Sequence, residues 1–302
     1  MILKAYIEEL ISETITLNKI QIIPKTIDLI LDAGAFNGGF QLGALFYLKE
    51  LEAMEHTTIE RISGASVGSI LGLAYFLDKL DIAHQFCNNL ISDYKSNYNL
   101  YSINHYFNKF LSLMSTDDYK QLNKKLYISY FNNSTKKQII KSTYKSNKDV
   151  IRQVKKSCYI PFISNHTISY CNSVDGVFPY IFKGTKPTLF LKLISFEQAK
   201  TMMKVKNEET IYGRLIDGIQ DINNFLNNRS SIMCSFINDW KFYDFMFIRI
   251  REVSWILILY LIECLMILYK YLPNKIIHSR IFKNILTLLK NIYNDFMQAT
   301  LC

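Results

Sequence analysis

Ser66 stands between two glycines in "GASVG", Gly64 to Gly68, and an apolar run follows it. Glycines two places either side of a serine let the chain bend tightly and keep neighbouring side chains clear of the hydroxyl. Between a buried strand and an apolar helix, the same pattern presents the serine oxygen at a helix N-terminus, where developing negative charge is favoured. The chemistry on offer is nucleophilic attack, which needs donors for an oxyanion and a base. A structural turn with the serine as helix cap is the plainer reading of these five residues.

Donors are offered by an earlier turn, "DAGAFNGGFQLGAL", beginning at Asp32. A strand ends there in small residues and a helix begins, so the Gly34 and Ala35 amides are free to converge on an oxyanion. Gly34, Gly38, Gly39 and Gly43 do not give the G-x-G-x-x-G spacing, which argues against a dinucleotide site. The base is the deciding question. His278 lies in the chain order that an α/β-hydrolase triad requires, but only one strand–helix unit precedes the strand leading to Ser66, too few for that fold. His166, in "ISNHTIS", reads as a surface-loop residue. Asp175 remains: in "YCNSVDGVFPY" it ends a β-rich stretch before Gly176, so its carboxylate can reach a cleft from a strand end. Asp217, before Gly218, falls in a helical pattern and reads as a surface acid, while Asp32 caps the first turn and reads as structural.

The elements that must position these groups follow from periodicity. Ile27 to Leu31 is a short buried strand, and Gly38 to Met54 a helix with Leu42, Leu45, Phe46 and Leu48 inward. "IERI", Ile59 to Ile62, is a second strand, and an apolar helix runs on through Leu77. Strand, turn and helix twice over is the pattern of a parallel α/β sheet. Residues 81 to 155 read as mainly helical, with "DKLDIAHQFCNNLI" and "DDYKQLNKKLYISYF" as candidate helices. "SCYIPFIS" and "TISYCNSVDG" read as β-rich, "PTLFLKLISF" (Pro187 to Phe196) as a strand, and everything from Glu208 onward as long helices.

Three of these pieces, in this order, resemble the patatin-like phospholipase family, which carries a turn of the form D/S-G-G-G-x-R/K-G, then G-x-S-x-G, then D-G-G/A. Here they stand as "DAGAFNG" (32–38), "GASVG" (64–68) and "DGV" (175–177), and the resemblance covers about residues 26 to 196. "SCYIPFIS" is similar to the family's Ser-x-x-x-Pro strand ahead of the catalytic acid. The resemblance implies a three-layer α/β/α fold around a mostly parallel sheet, and a Ser66–Asp175 dyad without histidine, cofactor or metal. It also implies an oxyanion hole from Gly34 and Ala35, and an acyl ester as substrate. The motif departs from the family at three places. Ala33 and Ala35 replace glycines, and an alanine in that turn needs a negative φ. Asn37 replaces the Arg or Lys before Gly38, and Val177 follows Asp175–Gly176. A catalytically weak or inactive membrane-binding protein on the same scaffold is the alternative reading.

Bulk properties set the surroundings. The 302 residues carry a net charge of +9 and are 49% hydrophobic. No dense basic run marks a nucleic-acid site, so the charge points to an anionic membrane or lipid-droplet surface. Cys87, Cys158, Cys171, Cys234, Cys264 and Cys302 form no C-x-x-C pair and read as reduced, mostly buried thiols of an intracellular protein. Residues 1–25 read as an amphipathic lead-in, with Leu3, Ile7, Leu10 and Ile11 at helical spacing; Glu8, Glu9 and Glu13 argue against a secretory signal. Residues 26–200 form the expected catalytic domain, and 201–302 a helical, membrane-associating C-terminal extension. Within it Ser254 to Leu272 is nearly long enough to span a bilayer but carries Glu263, leaving interfacial, spanning and buried helices open.

Overall fold

A computed structural model describes residues 2–16, 23–194 and 201–296. Ser195 and Phe196, at the end of the strand expected over Pro187 to Phe196, lie outside the described residues, as does Cys302. The chain is a mixed α/β fold in which helices flank a central, mostly parallel sheet. Helix α1 (Ile2–Thr16) leads in, with Ile7 and Ile11 buried. Strand β1 (Thr26–Leu31), helix α2 (Gly38–Ala53), strand β2 (Thr58–Ala65) and helix α3 (Val67–Phe76) follow the expected alternation. Helices α4 (Leu80–Asn97), α5 (Ile103–Ser112) and α6 (Asp118–Leu122) lead to strands β3 (Leu126–Asn132) and β4 (Lys137–Lys141). Then come α7 (Asn147–Ser157), β5 (Ser173–Val174), β6 (Thr188–Leu191), α8 (Tyr212–Leu226) and β7 (Cys234–Phe236). Helix α9 (Phe242–Tyr271), the short α10 (Asn274–Ile277) and α11 (Arg280–Phe296) complete the chain.

The sheet order is β4-β3-β2-β1-β6-β7, with β5 also paired to β3. The inner four strands run parallel, whereas β4, β5 and β7 are antiparallel additions. Alternate residues serve two cores. Leu29, Leu31, Leu189 and Leu191 pack under α2, α3 and α8, while Ile30, Phe131, Val174 and Phe190 meet Ile248 and Leu259 of α9. Strands covered on both faces are apolar at almost every position, which is why β1 reads as an apolar run interrupted at a single residue. Its one charge, the buried Asp28, accepts from Arg61 Nε on β2 at 3.0 Å.

Three expectations are corrected. The second candidate helix of 81–155 is helical only over α6, and its remainder is β3, whose Leu126, Ile128 and Tyr130 alternate at the strand period. "SCYIPFIS" is no strand: Ser157 ends α7 and the rest turns away as loop. The run of helices after Glu208 is broken by β7, a three-residue edge strand beside β6. Elements beyond residue 200 therefore complete both the sheet and its cover. Helix α8 lies against α2 through reciprocal close contacts. A Cβ on Gly43 would fall 1.9 Å from the Leu215 carbonyl oxygen, and one on Gly218 would fall 2.0 Å from that of Phe40. Gly43→Val is expected to destabilise the fold by at least about 2 kcal/mol in denaturant unfolding, because backbone rather than a side-chain tip must move.

Candidate active site

Ser66 joins β2 to α3 with φ 51 and ψ −125, a left-handed conformation that costs a non-glycine residue on the order of 1–3 kcal/mol. The neighbours that hold it there are specific. Its amide donates to Ser157 Oγ at 2.9 Å, and that hydroxyl donates to the Ser129 carbonyl of β3 at 2.6 Å. Its carbonyl accepts from Ser69 N–H at 2.9 Å, Ser69 Oγ at 2.7 Å and Cys158 Sγ at 3.2 Å. The flanking glycines make the bend possible: a Cβ on Gly64 would meet the Gly68 carbonyl at 2.4 Å, and one on Gly68 the Leu31 carbonyl at 2.5 Å.

Asp175 follows β5 and is 4% exposed. Its Oδ2 accepts the Ser66 hydroxyl at 2.6 Å, and its Oδ1 accepts Val177 N–H at 2.9 Å. The backbone is braced as well: Asp175 N–H donates to the Tyr159 carbonyl and Gly176 N–H to that of Ser157, at 2.8 and 3.1 Å. Gly176 lies so close to β3 that a Cβ would fall 2.0 Å from the Ser129 oxygen. Burial pushes the Asp175 carboxyl up to about 6, with the Ser66 and Val177 hydrogen bonds pulling the other way. A carboxylate with that affinity for protons can take one from a serine and return it near neutral pH.

The earlier turn sits beside them. Ala35 and Ser66 line one narrow apolar pocket of about 40 Å³ with Phe86, Leu90, Leu100 and Ile103; Gly34 packs instead against Leu193. Phe36 N–H donates to the Met202 carbonyl and Asn37 N–H to that of Gly34, at 3.0 and 2.9 Å. The Gly34 and Ala35 amides have no partner among the described residues. Ala35 does not keep the negative φ expected of it: the chain reverses there at φ 46. Larger cavities, of about 540 and 370 Å³, lie elsewhere and include neither Ser66 nor Asp175.

Two arginines complete the surroundings, and neither was foreseen. Asn37 is buried, and its Oδ1 accepts Arg214 Nη1 at 2.6 Å, so a guanidinium from α8 comes to the place where the motif lacks its cation. Asp32 is no mere cap. Fully buried, it accepts Ala33, Leu193 and Ile194 N–H groups and forms a bidentate ion pair with Arg251 of α9. The sequence signal for Arg251 was only that of a charge flanking an apolar run. Asp217 is exposed as expected, and exposed His166 bonds Tyr101 rather than the Ser66 region. The thiols of Cys87, Cys158 and Cys234 are buried and free; Cys171 and Cys264 are exposed. Among the described residues no cluster of His, Cys, Asp and Glu could hold a metal ion.

No curated protein matches the chain. A family model does, that of the patatin-like phospholipases, over residues 29–181, the stretch from β1 through the Asp175 loop. That is half of the chain, and it carries Gly34, Ala35, Ser66 and Asp175 in one piece. The chain belongs to the patatin-like phospholipase family, whose members are lipid acyl hydrolases.

Proposed function

We propose that this chain hydrolyses fatty-acyl esters of membrane lipids through a Ser66–Asp175 dyad. The observation carrying the proposal is the 2.6 Å hydrogen bond from a strained serine hydroxyl to a buried carboxylate. Ser66 Oγ attacks the ester carbonyl carbon while its proton passes to Asp175 Oδ2, and the Gly34 and Ala35 amides receive the oxyanion. Collapse breaks the bond to the alcohol, which leaves with the proton from Asp175. Water then gives a proton to the same carboxylate and attacks the acyl-enzyme, releasing the fatty acid and restoring Ser66. The acyl chain enters the apolar pocket bounded by α4 and α5.

The lipid surface is met by the C-terminal helices. Helix α9 is long and apolar enough to cross a membrane, an 18-residue window within it having a mean hydropathy of 1.9. Its inner stripe, including Ile248, Arg251, Trp255 and Leu259, docks on the sheet, and Glu263 pairs with the buried Lys136. Beyond Glu263 the helix is exposed all round, with Leu265, Met266, Ile267 and Leu268 in solvent-facing positions. Helix α11 adds Ile281, Leu288 and Ile292 beside Arg280, Lys283 and Lys290, a pairing of apolar and basic groups suited to an anionic lipid surface. A non-catalytic membrane-binding protein is the second reading, favoured by the left-handed alanine in the oxyanion turn.

Ser66→Ala and Asp175→Asn are each expected to lower ester hydrolysis at least about a thousandfold, with His166→Ala within about twofold of wild type. Intact protein that takes no fluorophosphonate label at Ser66 would exclude the enzyme. The pH profile gives a second measurement. Since the base must be ionised, kcat/KM is expected to rise with pH through about 6. Stability should move the opposite way. The folded carboxyl keeps its proton up to about 6, the unfolded one loses it near 4, so this group's stabilisation is full at low pH and is lost between them. Wild type should therefore lose about 2 kcal/mol relative to Asp175→Asn between pH 4 and pH 7, read by denaturant unfolding. For the surface, Leu265→Glu/Leu268→Glu is expected to abolish flotation with anionic phospholipid vesicles and leave hydrolysis of a soluble ester unchanged; equal loss of both would assign these turns to the core.

A further inference from the structure

Helix α9 does more than offer an apolar face. Arg251, 8% exposed, reaches from it into the sheet and places Nη1 3.1 Å and Nη2 2.9 Å from the two oxygens of Asp32. Nη2 also donates to the Val177 carbonyl at 2.6 Å. Asp32 directly follows β1 and leads into the turn that holds Gly34 and Ala35. Val177 is the residue whose amide orients Asp175 Oδ1. One planar guanidinium thus ties the root of the oxyanion turn to the loop of the base, and does so from outside residues 29–181.

We propose that Arg251 is a positioning residue for the dyad, a clamp that sets the spacing between the oxyanion turn and the Asp175 loop. The inference rests on the hydrolase reading. A buried charge is costly unless paired, and replacing an arginine fork by another group of equal charge loses its bidentate geometry. A role in docking α9 alone would be shared by Glu263, which joins the same helix to Lys136 but touches neither the turn nor the loop.

Wild type, Arg251→Lys and Glu263→Gln are compared for melting temperature, for kcat and KM on a soluble short-chain ester, and for the rate of fluorophosphonate labelling at Ser66. Lysine keeps a charge against Asp32 but cannot also hold Val177. Arg251→Lys is expected to remain folded, with kcat and labelling rate at least tenfold lower and KM within twofold of wild type. Glu263→Gln should leave kcat at the wild-type value. Should Arg251→Lys fail to fold, the charge-neutral pair Asp32→Asn/Arg251→Gln takes its place, with the same loss of kcat expected. A folded variant with wild-type kcat, or an equal loss in Glu263→Gln, would overturn the clamp and leave the hydrolase standing. A wild type that neither turns over ester nor takes label would overturn both.

Discussion

One edge of β3 serves two strands. Strand β2 pairs with its first half, Ala65 opposite Ser129, and β5 pairs with its far end, Val174 opposite Phe131. Because β4 occupies the other edge along residues 128–132, β2 and β5 must share the remaining one and meet end to end. Ser66 and Asp175 are the residues at which those two strands stop. Their approach is thus set by backbone ladder geometry before any side chain is chosen, and the Ser157 hydroxyl donating to the Ser129 carbonyl, with Gly176 packed close against that carbonyl, keeps both ends against the same stretch of β3.

What was legible in the sequence was local. Gly64, Ser66 and Gly68 announce a bend by composition and spacing, and the apolar runs on either side announce the strand and the helix. Asp175 was found by elimination and by its Gly176. The strand that measures the distance between them was not found: residues 117–131 begin with a helical turn, and Lys124 and Lys125 look like a wet helix face ahead of β3. Strand β7 is too short to carry a period. Ala35 gives no sign of its φ, since the reversal is imposed by what the turn connects. Arg251 is the plainest case. Its partner Asp32 is 219 residues away, and only burial turns a flanking charge into an internal one.

The matched half of the chain holds Ser66, Asp175 and the Gly34–Ala35 turn, and the remainder finishes their environment. Helix α8 brings Arg214 to Asn37, β7 closes an edge of the sheet, and α9 covers the second face while sending Arg251 inward. Buried ion pairs of this kind contribute little net stability, because desolvation offsets most of their attraction, yet losing one partner costs about 3–5 kcal/mol. Such contacts enforce arrangement more than they add strength. The helix proposed to meet lipid is accordingly also a structural part of the matched half.

The backbone at Ser66 has a consequence for how this chain can change. At φ 51 and ψ −125 a glycine would sit without strain, and the alteration needed is small. Drift under selection for stability alone would therefore tend to replace the serine, gaining on the order of 1 kcal/mol and a quieter turn. A hydroxyl at that position stands against a conformational preference for glycine, and the proposed nucleophilic role is what would offset it.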